Sequence, residues 1–260
     1  MLVAMTDDPA LVEQRRRWLL DTLGSTGRIV TNDAATTLGV SVDTVRRDLR
    51  ALDGSGALQR VHGGAVARTS LPRSFAGRGA MGADVRARLA GAVVARLHPG
   101  MVVGLDAGTT NVEVARQLPH DLPLTIVTNS PPAVAELAGH PAVRVVMIGG
   151  VVDLEWMAIT GSDAVAAWAG YHLDVGVVGA CALHPELGVS TTSLAEVATK
   201  RAIIAASAEV IVPAQLDKLG TTGPFVVCPM TEIDVIIAEA AGDVATMAAF
   251  RQHGVEVTSV

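Results

Sequence analysis

From Met101 onward, short runs of β-branched and aliphatic residues alternate with alanine-rich stretches of helical spacing. Apolar runs this short predict buried strands. Alternation of strands with helices is typical of an α/β domain with a mainly parallel sheet. The predicted strands are Val102–Leu105, Leu124–Val127, Val143–Ile148, Val175–Ala180, Val210–Val212 and Val235–Ile237, and the predicted helices lie near Asn111–Gln117, Pro132–Leu137 and Ala195–Ala206.

The composition supports a folded chain with an aliphatic core. Half of the 260 residues are hydrophobic, 3% are aromatic and 18% are charged, which excludes a wholly disordered protein. Two cysteines, Cys181 and Cys228, are too few for a disulfide framework or a cysteine-based zinc site. With no basic start before an apolar run and no apolar stretch of about 18 residues, we expect a cytoplasmic protein without a membrane segment.

The net charge of −6 hides two regions of opposite sign. Residues 1–79 hold eleven Arg and eight acidic residues, a balance of +3, and residues 80–260 hold nine Lys and Arg and eighteen acidic residues, a balance of −9. A basic head on an acidic body indicates that the head binds a polyanion. The alternative is an arginine-rich face that is merely solvated.

The basic head has the pattern of a helix-turn-helix. Leu11–Leu23 predicts a first helix, and a second can begin at a cap of Thr31 or Asn32, run to Leu38 and end in a tight turn at Gly39. A third helix follows this turn. It is the second helix of the helix-turn-helix motif, which is the helix that fits the major groove of DNA.

The third helix predicts a DNA-reading face. Ser41 can cap it by accepting a hydrogen bond from the N–H of Asp43 or Thr44, and Val45 with Leu49 begins its buried stripe. Arginine on the opposite face can bind guanine in the major groove. The candidate DNA-binding residues of this helix are Ser41, Asp43, Thr44, Arg46, Arg47 and Arg50.

A short β-hairpin is predicted at Leu58–Ala67, where Arg60 and His62 are candidates for DNA contacts. Residues 11–68 thus predict a winged helix-turn-helix domain, with the helix-turn-helix at about 30–49. The alternative is a small three-helix unit with exposed arginines.

The segment VSVDTVRRDLRALDGSGALQRVHGGA, from Val40 to Ala65, resembles the DNA-binding signature of the DeoR family of bacterial transcription regulators. Its Val-Ser-x-x-Thr-Val-Arg-Arg-Asp-Leu stretch and its Arg-x-His-Gly-Gly-Ala wing carry the resemblance. This resemblance implies a winged helix-turn-helix in which Arg46 and Arg47 contribute to operator contact. We interpret Asp48 as a structural partner of a nearby arginine, since a carboxylate repels phosphate.

The chain after the head divides into three parts. Residues 69–84 are rich in Gly, Ser and Ala, which predicts a flexible linker. Helical periodicity returns at Val85, so we expect the α/β domain at 85–240. Residues 241–260 are interpreted as a C-terminal extension that closes this domain.

Three polar loops follow successive predicted strands, at the sheet edge where α/β proteins bind ligands. Gly108 allows close backbone approach, and Thr109 and Thr110 suit a phosphate at a helix N-terminus. Asp106 suits a sugar hydroxyl. The other candidate residues of these loops are Thr128, Asn129, Ser130, Gly149 and Gly150. Taken singly, each loop is an ordinary turn.

These loops also resemble the sensor domain of the DeoR family. The family motifs Asp-x-Gly-Thr-Thr and Thr-Asn-Ser are matched at 106–110 and 128–130, and further matches are Gly149, Gly150, Glu196, Lys200 and Lys218. The resemblance implies a fold similar to that of ribose-5-phosphate isomerase and an effector that is a phosphorylated sugar or a related metabolite. Departures at Ala198, Gln215 and Ala238 bear on the identity of the effector more than on the fold.

Lys200 and Lys218 are the only lysines of the chain. In a region of charge −9 we expect them, with helix N-termini, to bind an anion. For Lys200, an equally supported alternative is a surface ion pair with Glu196 four residues earlier, worth about 0.3 kcal/mol.

The sequence lacks the motifs of common metal sites and enzymes. The seven His show no HExxH spacing, so we expect no metal and no cofactor. Isomerisation of a sugar phosphate needs a general base, and although Asp106 could be nominated, Gln215 stands where the family has a carboxylate near Lys218. We therefore expect no enzymatic activity. A sugar-phosphate isomerase with a vestigial DNA-binding head is the alternative.

The prediction is a sequence-specific transcription regulator, expected to be a repressor, that binds double-stranded operator DNA and responds to a phosphorylated sugar or related metabolite. One helix-turn-helix reads few base pairs, so a homodimer or homotetramer on repeated half-sites is expected.

Overall fold

A computed structural model describes residues 9–26, 28–61, 63–68, 74–80, 82–240 and 244–260. The chain forms two compact units. One comprises residues 1–69 with 220–222, and the other comprises residues 70–219 with 223–260.

Over its described residues, the first unit folds as three helices and a small sheet. The elements are α1 (Pro9–Thr26), β1 (Arg28–Val30), α2 (Thr31–Leu38), α3 (Val42–Gly54), β2 (Gln59–Val61) and β3 (Gly64–Arg68). Strand β3 pairs antiparallel with both β1 and β2. Leu19, Val45 and Leu49 pack together in one apolar core, and each of them is at most 1% exposed.

The boundaries of two helices in this unit differ from the prediction. Helix α1 runs from Pro9 to Thr26, beyond both ends of the predicted Leu11–Leu23. Ser41 Oγ accepts a hydrogen bond from the N–H of Thr44 at 3.1 Å, and Gly39 ends α2 at a φ of 64°. The predicted cap of α2 by Thr31 or Asn32 is wrong, because the N-cap is Val30. Thr31 is already helical, and its N–H is held by the carbonyl of Gly63 at 2.8 Å.

The predicted wing is present as the hairpin of β2 and β3. Gly64 is required where β3 meets β1, since a Cβ there would lie 1.8 Å from the carbonyl oxygen of Ile29. His62, a predicted DNA contact, lies outside the described residues.

The rest of the chain is built around a parallel sheet. In chain order the elements are α4 (Phe75–Gly79), α5 (Ala83–Val94), β4 (Val102–Leu105), α6 (Thr109–Arg116), β5 (Leu124–Thr128), α7 (Pro131–Glu136), β6 (Val143–Met147), β7 (Val152–Asp153), β8 (Ala158–Ile159), α8 (Ser162–Trp168), β9 (Leu173–Val177), β10 (Ala182–His184), β11 (Gly188–Thr191), α9 (Leu194–Ala206), β12 (Ser207–Ala214), β13 (Thr221–Thr222), β14 (Phe225–Cys228), β15 (Val235–Ala238), α10 (Val244–Gln252) and β16 (Glu256–Ser259). Strand β13 belongs to the first unit, where it pairs with β3. Short 3₁₀ turns lie at Leu216–Lys218 and Met230–Glu232.

Seven strands form the main sheet in the order β16-β15-β12-β9-β4-β5-β6, and all neighbours are parallel. Both faces are covered, as parallel sheets require. Strand β12 shows this directly, because Val210 and Val212 pack into one apolar core and Ile211 packs into the other. The predicted fold class, a winged helix-turn-helix followed by an α/β domain with a mainly parallel sheet, is confirmed.

The structure differs from the predicted linker and strands in several places. Within 69–84, residues Phe75–Gly79 form a helical turn, which Ser74 caps by accepting a hydrogen bond from the N–H of Gly77 at 3.1 Å. Helix α5 begins at Ala83, also within the predicted linker. Residues 69–73 lie outside the described residues. The strand expected at Val175–Ala180 is β9, which starts two residues earlier and ends at Val177.

Several further elements have no counterpart in the prediction. Strands β10, β11 and β14 form a separate antiparallel sheet. The predicted C-terminal extension contributes α10 and the edge strand β16, which pairs in parallel with β15. The end of the chain therefore belongs to the main sheet.

Candidate functional site

The first candidate surface is the solvent side of α3. Arg46, Arg47 and Arg50 are all exposed, as are Ser41 and Asp43. Arg46 donates to the carboxylate of Asp43 at 3.1 Å. Exposed arginines along one helix can reach phosphates and base edges without first being freed from a buried site.

Two predicted members of this surface are less accessible. Thr44 is only 8% exposed, and its hydroxyl lies 2.8 Å from Ser41 Oγ, so its side chain supports the start of the helix. Arg60 on β2 is half-buried and lines, with Arg46, a cavity of about 250 Å³ in the first unit. By its contacts, Thr44 supports the cap that Ser41 forms at the start of α3.

A buried ion pair lies behind the arginine surface. Asp48 is 2% exposed and accepts hydrogen bonds from Arg15 and, at 3.2 Å, from Arg16. These contacts bind α3 to α1. The interpretation of Asp48 as a structural partner of nearby arginines is confirmed by these contacts.

The second candidate site is a cavity of about 390 Å³ in the second unit, at the carboxyl ends of β4, β9 and β12. Its size is that of a small-molecule site. Six predicted effector residues line it: Gly108, Thr109, Thr110, Glu196, Lys200 and Lys218.

Lys200 is the centre of a buried charge network in the cavity wall. Its Nζ donates to Asp106 Oδ2 at 2.5 Å and to the carbonyl of Gly179 at 2.9 Å, and it lies 3.6 Å from Glu196 Oε1. Burial works to lower the pKa of Lys200, but the charges of Asp106 and Glu196 outweigh it and raise that pKa. The alternative pair of Lys200 with Glu196 is therefore present, but its expected surface location is wrong, since Lys200 is 2% and Glu196 is 6% exposed.

Lys218 faces the same cavity in a different electrostatic setting. It is 8% exposed. Burial lowers the pKa of Lys218, and the positive charges of Arg78 and Lys200 add to this effect, while Cys181 and Asp217 oppose it. An anionic ligand would relieve the repulsion among these cations.

Helix α6 begins at the cavity wall. Its N-cap Gly108 has a φ of 145°, and it makes no side-chain cap hydrogen bond. The first N–H groups of a helix lack intrahelical partners and attract anions. Asn111, also in the wall, donates from Nδ2 to the carbonyls of Asp106 and Val177, and its buried Oδ1 has no partner among the described atoms.

Asp106 stands behind the wall. It is 1% exposed and is not among the lining residues, but its carboxylate orients Lys200 and the N–H of Gly179. It is therefore a positioning residue by its contacts.

The other predicted loops support the cavity without lining it. Thr128 Oγ1 donates to the carbonyl of Leu105 at 2.6 Å, Asn129 Oδ1 accepts from the N–H of Ala107 at 3.1 Å, and Ser130 caps α7. All three are at most 1% exposed. Gly149 and Gly150 are exposed and do not line the cavity.

Several lining residues were not predicted as site residues. They are Arg78, Gly82, Ala107, Asn111, Trp156, Gly179, Ala180, Cys181, Pro213, Gln215, Leu216, Asp217 and Glu239. Arg78 lies within the predicted linker, and Trp156 lies in an irregular stretch without a motif. Asn111 follows Asp106-x-Gly-Thr-Thr directly, so the position of that motif at a helix start was the signal available for it.

Two kinds of feature are absent from the described part of the chain. No described helix is long and apolar enough to cross a membrane. Among the residues that the structure covers, no group of three or more His, Cys, Asp or Glu is placed to hold a metal ion.

A winged helix-turn-helix with an arginine surface, joined to an α/β unit whose cavity is lined by buried lysines, defines the class of DNA-binding regulators that carry a sensor domain. Two family models match the chain: the DeoR-like helix-turn-helix domain at residues 15–70 and the DeoR C terminal sensor domain at residues 82–240. The chain belongs to the DeoR family of transcription regulators.

Named relatives match over nearly the whole chain. The HTH-type transcriptional regulator GlpR of Haloferax volcanii is 33% identical over 94% of this chain and 96% of its own length. The HTH-type transcriptional repressor GlcR of Bacillus subtilis is 29% identical over 94% and 95%. Among solved structures, ribose 5-phosphate isomerase A of Methanocaldococcus jannaschii aligns with a TM-score of 0.39 and 16% identity over 52% of this chain and 53% of that chain.

Proposed function

We propose that this protein is a transcriptional repressor that binds operator DNA through α3 and the wing and is controlled by a phosphorylated sugar or related metabolite in the cavity. The observation that carries the proposal is the conjunction of Lys200, Lys218 and the start of α6 around one cavity. Membership of the DeoR family supports the DNA-binding part of the proposal.

The cavity suits an anionic, hydroxylated ligand. The cations and the N–H groups of α6 would bind the anionic group. The buried Oδ1 of Asn111 would be satisfied by a ligand hydroxyl or a bridging water. A phosphorylated sugar supplies both kinds of group.

Control of DNA binding follows from linkage. The ligand must bind one arrangement of the protein more tightly than the other, and a preference of about 100-fold shifts the equilibrium by about 2.7 kcal/mol. A homodimer or homotetramer would place two arginine surfaces on repeated half-sites and make this shift sufficient for release.

A screen of phosphorylated sugars tests the proposal. Ligand binding to the folded state raises the melting temperature, so a matching sugar phosphate should stabilise the protein and its dephosphorylated counterpart should not. The same compound should weaken binding to a DNA duplex selected by the protein from a random-sequence pool. If the phosphorylated and dephosphorylated sugars stabilise the protein equally, the anion-binding part of the proposal is wrong.

The isomerase alternative is not favoured. The general base that this alternative nominates, Asp106, is buried behind the wall and held by Lys200, so it does not reach a substrate in the cavity. Turnover of pentose or hexose phosphates by the purified protein would reverse this conclusion.

A further inference from the structure

Arg78 is a cavity residue with an aromatic partner. It lies on α4, and its guanidinium carbon is 4.4 Å from the centroid of the Trp156 ring, within the range of a cation–π contact. Both side chains line the cavity, and Trp156 is 6% exposed.

Hydrogen bonds hold both ends of the short helix α4 to neighbouring segments of the second unit. The N–H of Phe75 donates to the carbonyl of Glu155, one residue before Trp156, at 2.7 Å. Arg86 of α5 donates to the carbonyls of Arg78 and Gly79 at 3.2 and 2.9 Å. A displacement of the α4 backbone at Arg78 would therefore disturb the hydrogen bonds that hold this helix.

Arg78 also lies close to the expected position of an anion. A Cβ on the neighbouring Gly79 would lie 3.9 Å from Thr109 Cγ2, at the start of α6. Arg78 and Lys218 line the same cavity, and the charge of Arg78 contributes to the lowered pKa of Lys218. A charge-assisted hydrogen bond to an anion is stronger than a cation–π contact, so an anion would compete with Trp156 for the guanidinium.

We propose that Arg78 is a ligand-binding residue that exchanges the ring of Trp156 for the anionic group of the ligand and thereby displaces α4. This inference rests on the proposed function, because it requires an anionic ligand in the cavity. Helix α4 begins six positions after Thr69 in the sequence. The exchange would therefore couple ligand binding to the chain segment that continues into the DNA-binding unit.

The test uses the full-length protein and inorganic phosphate, with potassium chloride at matched ionic strength as reference. Affinity is taken from thermal-shift titration and calorimetry, and the response of α4 from hydrogen exchange of peptides that span 74–80. Arg78→Met should weaken phosphate binding at least tenfold and abolish the phosphate-dependent change in exchange. Arg78→Lys should recover part of the affinity.

Trp156→Leu should not weaken phosphate binding, in contrast to Arg78→Met. If the contact between Arg78 and Trp156 were only structural, both substitutions should weaken binding alike. Removal of the competing ring should leave phosphate affinity unchanged or raise it up to about fivefold. The exchange of 74–80 without phosphate should rise toward the phosphate-bound rate of the wild type. If circular dichroism shows that this variant is unfolded, Trp156→Phe, which keeps a ring with a weaker cation–π contact, replaces it.

Arg144→Met, at an exposed arginine of β6, is the matched control and should match the wild type. Wild-type affinity in Arg78→Met, or equal losses in the Arg78 and Trp156 variants, would overturn the inference alone. Absence of phosphate and sugar-phosphate binding by the wild type would overturn the proposed function as well.

Discussion

The two units present their positive charges in opposite ways. On α3 the arginines 46, 47 and 50 are exposed, and the ion pair of Asp48 lies behind them. In the cavity Lys200 and Lys218 are themselves buried, and Lys200 is held by Asp106 and Glu196. The first arrangement suits a large polyanion that comes to the surface. The second suits a small anion that must enter the protein.

This difference predicts different energetics. Exposed charges act through a screened, salt-dependent field, whereas buried charges are screened little and are costly when left without a partner. Mutation of a cavity charge should therefore affect folding and ligand binding together. Mutation of a surface arginine should affect DNA binding and leave folding almost unchanged.

The largest effect is expected for Asp106→Ala. Without Asp106 the buried ammonium of Lys200 loses its 2.5 Å partner, which should lower the free energy of unfolding by about 3–5 kcal/mol. Urea unfolding followed by circular dichroism measures this loss. Asp121→Ala, at an exposed carboxylate, is the control. Equal stability of the two variants would contradict the importance of the buried pair.

Arg47→Ala should have the next largest effect, on DNA rather than on stability. Loss of a base-contacting arginine typically costs about 1–3 kcal/mol of binding free energy, or roughly 5- to 150-fold in affinity. Fluorescence anisotropy with the selected duplex measures it at fixed salt. Arg17→Ala, at an exposed arginine of α1, should bind as the wild type does. If both variants bind the duplex with equal affinity, Arg47 does not contact DNA.

Lys218 should give a pH-dependent stability effect. Its folded-state pKa is lowered from the ordinary value of 10.5. Between the lowered value and 10.5 the unfolded state binds more protons than the folded state, so this residue makes the free energy of unfolding rise with pH. The slope is at most about 1.4 kcal/mol per pH unit.

Denaturant unfolding of the wild type and of Lys218→Met from pH 7.5 to 10.5 measures this contribution as a difference. Lys200 does not mimic it, because the pKa of Lys200 is raised and its stabilising contribution is lost only above 10.5. A difference that does not change with pH would contradict the lowered pKa of Lys218.

The smallest effect is expected for Asp43→Asn. The pair of Asp43 and Arg46 is exposed, with side chains 85% and 60% accessible, so its loss should change stability by less than about 1 kcal/mol. DNA affinity should rise slightly, since a negative charge leaves the surface that meets phosphate. A loss as large as that of Asp106→Ala would erase the contrast between the two units.

Much of the fold could be predicted because its signals are local. The capping hydroxyl of Ser41, the turn at Gly39 and the stripe of Val45 and Leu49 depend on neighbours within a few positions. The strand and helix alternation is local in the same sense. The antiparallel sheet of β10, β11 and β14 could not be predicted, since the pairing partner β14 lies more than 30 residues beyond β11.

The site was predictable only in part, because polar loop residues have the same sequence signal whether they face a ligand or support the fold. Thr109 and Thr110 line the cavity, whereas Thr128 and Asn129 turn inward to hold the loops. Arg78 and Trp156 meet across 78 positions of sequence, and neither position carries a motif that joins them.

Because both lysines are almost completely buried, reagents directed at lysine side chains should find no target on the folded second unit. Crosslinkers and enzymatic acetylation would then report on opening of the cavity rather than on the surface. Detection of one modified lysine by mass spectrometry would identify a molecule whose second unit had opened or unfolded.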